Sequence, residues 1–290
     1  MYKQIAANKR NTIFIMMFFV VIIGIIGGVF AWVFEDWWVE AYILIFALIY
    51  ALFQYHFASS LAVAMTGARE IEKKDNPKLY NAVENLTITA GLPMPKVYII
   101  DDPAPNAFAT GKDPDHAIVA ATTGLLNIMD KRELEAVMAH ELSHVKNYDI
   151  RVSMITFGLV CVVGFISDIG IRMLWRDSRS EDRSPVGAII ILITSIFAPL
   201  AASLAQLAVS REREYLADAS AAHLTRYPEG MIAALKKLDE HSRPMRRQNA
   251  ATEALYINEP LKKGTFASLF STHPPIEKRI ERLENAKNKF

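Results

Sequence analysis

The sequence predicts an α+β chain, mainly α, in which four membrane-spanning helices carry a polar domain assembled from two separate segments. Three observations lead there. The chain has four long apolar runs, it has polar segments before and after the last two of them, and the first polar segment mixes strand and helix signals.

Residues 13–34 and 41–65 contain no Asp, Glu, Lys or Arg. Each run exceeds the roughly 20 residues a helix needs to cross about 30 Å of hydrocarbon. The first is too long for a signal-peptide core of about 7–15 residues and lacks a small-residue cleavage site behind it, so a retained helix is expected. The third run, 152–171, is interrupted only by Asp168, and the fourth, 186–209, is uncharged with Pro199 inside it. The chain therefore divides into an N-terminal membrane hairpin (1–65), a first polar segment (66–151), a second hairpin (152–209) and a second polar segment (210–290).

Flanking charge sets the expected orientation. Lys3, Lys9 and Arg10 precede the first run, and Arg69, Lys73 and Lys74 follow the second. The connection between them, Glu35-Asp36-Trp37-Trp38-Val39-Glu40, has no Lys or Arg. Both flanks are then cytoplasmic, with Trp37 and Trp38 at the far interface. Arg172, Arg176, Arg179 and Arg183, between the last two runs, argue the other way, although Asp177, Glu181 and Asp182 balance them. We expect this pair to cross; a re-entrant pair would also return the chain to the same side.

Composition narrows the function classes. A net charge of +1 gives no basic patch for nucleic acid. The single cysteine, Cys161, lies in an apolar run and forms no disulfide framework.

In the first polar segment, residues 76–91 read as a helix ending at Gly91, with Pro93 and Pro95 beyond it. KVYIID (96–101), NAFATG (106–111) and AIVAAT (117–122) read as strands. Asp130 and Glu133 have the spacing of a capping box, opening a helix that runs towards Asn147.

That helix carries His140-Glu141-Leu142-Ser143-His144. Histidines at i and i+4 project from one face and can bind one tetrahedral Zn²⁺ at roughly 2.0–2.1 Å each. Glu141, about 100° around the helix, can reach a metal-activated water and take its proton. Chance occurrence of so short a motif is the alternative; the cap and the small Ala139 and Ser143 beside the histidines argue against it. A third ligand is required. In the segment SREREYLADAS, Glu214 and Asp218 share a helix face, so Glu214 could ligate zinc while Asp218 orients a ligand histidine through its outer N–H. On spacing alone, an ordinary helix charge near Arg211 and Arg213 is the preferred reading of Glu214. Glu212 points elsewhere, and His223 and His241 are weaker alternative ligands. His56 and His116 read as interfacial and loop residues.

The ordered set of HELSH, SREREYLADAS and Ser271-Thr272-His273-Pro274-Pro275 resembles the HtpX family of bacterial membrane metalloproteases, gluzincin relatives of the CAAX prenyl proteases. The likeness covers nearly the whole chain. It implies a cytoplasmic zincin-type catalytic domain in which His140, His144 and Glu214 bind one zinc per chain. Glu141 would act as general base and Asp218 would support a ligand. It also makes NAFATG an edge strand that holds an extended substrate by β-augmentation. Asn106 and His273 are then candidates to stabilise the oxyanion, against the plainer readings of a turn residue and a helix-start contact. The implied activity is endoproteolysis of misfolded or damaged membrane proteins, or unfolded polypeptides, at the bacterial cytoplasmic membrane, with the site facing the cytoplasm. A prenyl-protein protease, a zinc transporter and a catalytically silent scaffold fit less well. The first would carry more spans, the second would place its ligands within the spans, and the third would not need Glu141.

Overall fold

The computed structural model describes residues 2–158, 211–247, 252, 255–257 and 274–287. Two long helices open the chain, α1 (Tyr2–Phe34) and α2 (Trp38–Thr66), and they pack against each other as a hairpin. Glu35, at a φ of 54°, turns the chain between them, and left-handed Gly67 ends α2. Within α1, Ile5–Ile25 is long and apolar enough to cross a membrane; α2 meets that test as two pieces, Glu40–Tyr50 and Leu52–Thr66, bent by 48°. The outward side of this hairpin is apolar. Ile13, Phe14, Ile25, Phe46, Ile49 and Phe53 are all more than half exposed. Water-soluble monomers rarely present so long an apolar surface, whereas a bilayer covers it at no desolvation penalty.

The expected third span is described only at its start. Residues 149–158 are helical and lie against α2, where Gln54 Nε2 donates to Met154 O (3.1 Å) and Tyr50 Oη donates to Gly158 O (3.0 Å). The remainder of that run, the fourth run and the arginine-bearing loop fall outside the described residues.

The polar segments form one body. A short strand, β1 (Arg69–Glu70), which the sequence does not signal, leads to α3 (Pro77–Ala90). Asn76 caps α3 by accepting from Leu79 N, and left-handed Gly91 ends it as expected. Strands β2 (Lys96–Ile100), β3 (Ala107–Thr110) and β4 (Ile118–Thr122) follow, with a short helix α4 (Thr123–Ile128) directly behind β4. The sheet order is β1-β2-β4-β3; β2 and β4 are parallel and the other pairs antiparallel. All three expected strands are present, and NAFATG does form the sheet edge. Residues 256 and 257 cap part of that edge, through an antiparallel bridge from Tyr256 to Phe108 and Ile257 N donating to Ala107 O (3.0 Å).

Both faces of the sheet are covered, so β3 and β4 are buried at every position and are apolar up to their closing threonines, Thr110 and Thr122, rather than alternating. Val97, Ile99, Ala107, Ala109, Val119 and Ala121 face the helical core. Phe108, Ala120 and Ile100 face a second cluster that includes Ile15 and Phe19 of α1, Ala58 and Ala62 of α2, and Phe157. The sheet thus seats the polar body against the hairpin. Helix α5 (Lys131–Lys146) lies on the opposite face, followed after the undescribed stretch by α6 (Arg211–Thr225), α7 (Pro228–Glu240) and α8 (Ile276–Ala286).

Candidate active site

The paired histidines ride on α5, whose register is set at its start. Asp130 Oδ1 accepts from Glu133 N (2.9 Å) and Glu133 Oε2 accepts from Asp130 N (2.7 Å), the reciprocal box expected from sequence. Leu134, Val137, Met138 and Leu142 then bury one side of the helix, which leaves His140 and His144 on the side that meets α6. There α6 supplies Glu214. His140 Nε2 is 3.2 Å from His144 Nε2; Glu214 Oε2 is 3.6 Å from His140 Nε2, and Glu214 Oε1 is 3.4 Å from His144 Nε2. Donor atoms at roughly 2.0–2.2 Å from one tetrahedral zinc stand about 3.3–3.5 Å apart, so the three residues stand close to the spacing of a single ion, with one Glu214 oxygen turned towards each histidine. Among the described residues they are the one His/Cys/Asp/Glu group that converges in this way.

Each imidazole is held from behind by a carboxylate. Asp218 Oδ1 is 3.0 Å from His140 Nδ1, and Asp149 Oδ2 is 3.1 Å from His144 Nδ1. Both contacts leave Nε2 facing the convergence point, the arrangement that fixes the tautomer of a metal-bound histidine. Arg279 of α8, 1% exposed, clasps Asp218 with Nε to Oδ2 at 2.8 Å and Nη2 to Oδ1 at 2.7 Å. Its Nη1 is 3.7 Å from Glu214 Oε2.

The charges explain the protonation of this centre. Glu141, Asp149, Glu214 and Asp218 are four buried carboxylates facing two buried guanidinium groups, Arg213 and Arg279, a deficit of two positive charges. Burial by itself lowers the pKa of His140, but hydrogen bonds to Asp218 and Glu214 outweigh it and raise the group to about 9. His144 is raised too; burial opposes the shift, and Asp149 and Glu214 override it. Asp218 is held below the usual carboxylate range because Arg279 overcomes its desolvation. A divalent cation at the convergence point would offset that deficit.

The remaining expected residues fall as follows. Glu141 is buried beside His140 at 3% exposure. Asn106 sits just before β3, 2% exposed, its Oδ1 accepting from Ala107 N (3.1 Å) and its Nδ2 3.7 Å from Met245 Sδ. His273 lies outside the described residues, although α8, expected behind it, is present. His223 and His241 are exposed and outside the cluster, and Glu212 pairs on the surface with Arg282 at 3.5 Å. Asp149 and Arg279 were not singled out from sequence. Asp149 stands five residues after His144, a spacing with no helical meaning; it reaches back because Tyr148 adopts a left-handed φ of 61°.

Fold and site together define a metallopeptidase. Residues 73–287 match the profile of peptidase family M48, and the chain belongs to that family, in its HtpX branch. It is 55% identical to the Protease HtpX homolog of Tropheryma whipplei (strain Twist), over the full length of both chains. It is 48% identical to that of Streptococcus pyogenes serotype M5 (strain Manfredo) and 44% to that of Ligilactobacillus salivarius (strain UCC118), each over 98% of this chain and 99% of the relative. Among solved structures it is similar in fold to S. mikatae Ste24p, with a TM-score of 0.50 and 19% identity. The likeness covers 90% of this chain but only 61% of that longer one.

Proposed function

We propose that this chain is a zinc-dependent endopeptidase of the cytoplasmic membrane, its site facing the cytoplasm, acting on misfolded or damaged membrane proteins and unfolded polypeptides. The observation that carries the reading is the convergence of His140, His144 and Glu214 from two helices far apart in sequence, with donor atoms of all three within 4.8 Å of one another. These three side chains hold the zinc, one per chain. When bound, it supplies the Lewis acidity that brings the pKa of a water molecule to about 7.

The chain's own groups do the rest. Glu141 takes the proton of the attacking water and returns it to the leaving amine. Asp218 and Asp149 keep both imidazoles turned with Nε2 inward. An extended substrate adds to the edge of β3, which Tyr256 and Ile257 cap in part, and Asn106 and His273 are its candidate donors to the developing oxyanion. The apolar outer face of the α1–α2 hairpin supports the membrane setting, and the Lys9 and Arg10 flank supports the orientation.

Glu141→Gln tests the mechanism, because it keeps the side chain's shape and all three ligands while removing the base. Zinc content should match the unaltered protein while cleavage of a model membrane substrate falls by about 10²–10⁴-fold. Undiminished cleavage by this variant would reject the proposal.

A further inference from the structure

Asn8 lies in the early part of α1 among exposed neighbours, Lys9, Arg10 and Asn11, yet it is only 1% exposed itself. Its side-chain amide has two N–H groups and Nδ2 uses both, donating to Asn147 O at 2.8 Å and to Asp149 Oδ1 at 2.7 Å. Both acceptors belong to the turn that ends α5, about 140 residues away in sequence. Asp149 meets His144 Nδ1 with its other oxygen. A continuous line of hydrogen bonds therefore runs from the first apolar helix, through one carboxylate, to the second histidine of the cluster. Between the two acceptors, Tyr148 presents its ring to Lys9, whose Nζ lies 4.5 Å from the ring centroid. Two successive residues of α1 thus grip the turn, but only Asn8 touches Asp149.

We infer that Asn8 is a positioning residue for the metal site. By fixing Asp149 Oδ1 it aims Oδ2 at His144, and so couples the docking of the first membrane helix to the metal affinity of the cluster. The inference rests on the reading of His144 as a ligand. Without Asn8, the other partner of Asp149 Oδ1 among the described residues is Arg213, whose Nη1 lies 3.6 Å away, so the ion pair is left to draw the carboxylate towards that guanidinium and away from His144.

The test uses full-length protein in detergent, with zinc alone as probe and affinity read by competition against a chromophoric chelator. Asn8→Ala should weaken zinc binding by roughly tenfold, the lower end of what outer partners of metal ligands contribute. Lys9→Ala, which loosens the same contact without touching Asp149, should stay within about twofold of the unaltered protein on the same scale. In an Asp149→Ala background, Asn8→Ala should have no further effect. An equal loss in both backgrounds would mean that Asn8 merely holds the helices together, and unchanged affinity in the single variant would overturn the inference outright. If Asn8→Ala does not fold, Asn8→Ser retains a small donor and should show a smaller loss of the same sign; unchanged affinity there is equally contrary. Absence of zinc binding by the unaltered protein would instead sink the functional reading on which this one stands.

Discussion

Replacing Arg279 should damage the metal site although its side chain offers no ligand atom. Its guanidinium makes two charge-assisted hydrogen bonds to Asp218, at 2.7 and 2.8 Å, and both side chains are essentially inaccessible. Charge-assisted bonds contribute about 1.5–3 kcal/mol each, and removing one partner of a buried pair typically costs about 3–5 kcal/mol. The two figures agree. Arg279→Leu removes the guanidinium that clasps Asp218 and faces Glu214, so Asp218 loses the largest influence holding its pKa down and supports His140 less strongly as an anion. Thermal unfolding should then fall on the order of ten degrees, and zinc affinity by roughly 10–100-fold through the loss of the His140 support. Arg279→Lys restores the charge but not the two-pronged geometry, and should lie between. Unfolding followed by circular dichroism, with zinc affinity measured on the same samples, reads both effects. A Leu variant with unchanged zinc affinity would refute the idea that Arg279 acts on the site through Asp218.

Two further outcomes follow from the same structure. His140 has a pKa raised to about 9, so at neutral pH the metal-free site carries a proton there that zinc must displace; zinc affinity should rise with pH and flatten as pH passes about 9. A pH-independent affinity between pH 6.5 and 8, measured by chelator competition, would contradict that assignment. Reporters fused after Met65 and after Phe290 should both read cytoplasmic, and one at Glu35 external; a cytoplasmic signal at Glu35 would overturn the orientation.

Much of this site was legible in the sequence because its signals are local. The capping box, the i and i+4 histidines and the Glu214–Asp218 pair each declare a helix and a face within a few residues, and each is where its spacing places it. Glu214 shows the limit of that reasoning. Spacing alone favoured an ordinary surface charge, and only the packing of α6 on α5 buries it to 3%. Asp149 was hidden because a left-handed Tyr148 has no residue-type signal of the kind glycine provides. Arg279 was hidden because its partner lies 61 residues away, and Asn8 because its acceptors lie 139 and 141 residues away. Strand β1, two residues long, is too short for any periodicity, and α7 passed unread although Pro228 at its start is a helix-opening signal. The first two apolar runs appear as the long helices expected. The question of the second hairpin falls on residues outside those described.

The claim on which everything else depends is that Glu214 completes the metal site. Zinc bound per chain, and its affinity, should be measured on purified Glu214→Gln and His223→Ala variants beside the unaltered protein. One zinc is expected in the unaltered chain and in His223→Ala, and a loss of tight binding in Glu214→Gln, where a neutral amide replaces the anionic ligand. Full zinc affinity in Glu214→Gln, with loss in His223→Ala, would contradict that claim.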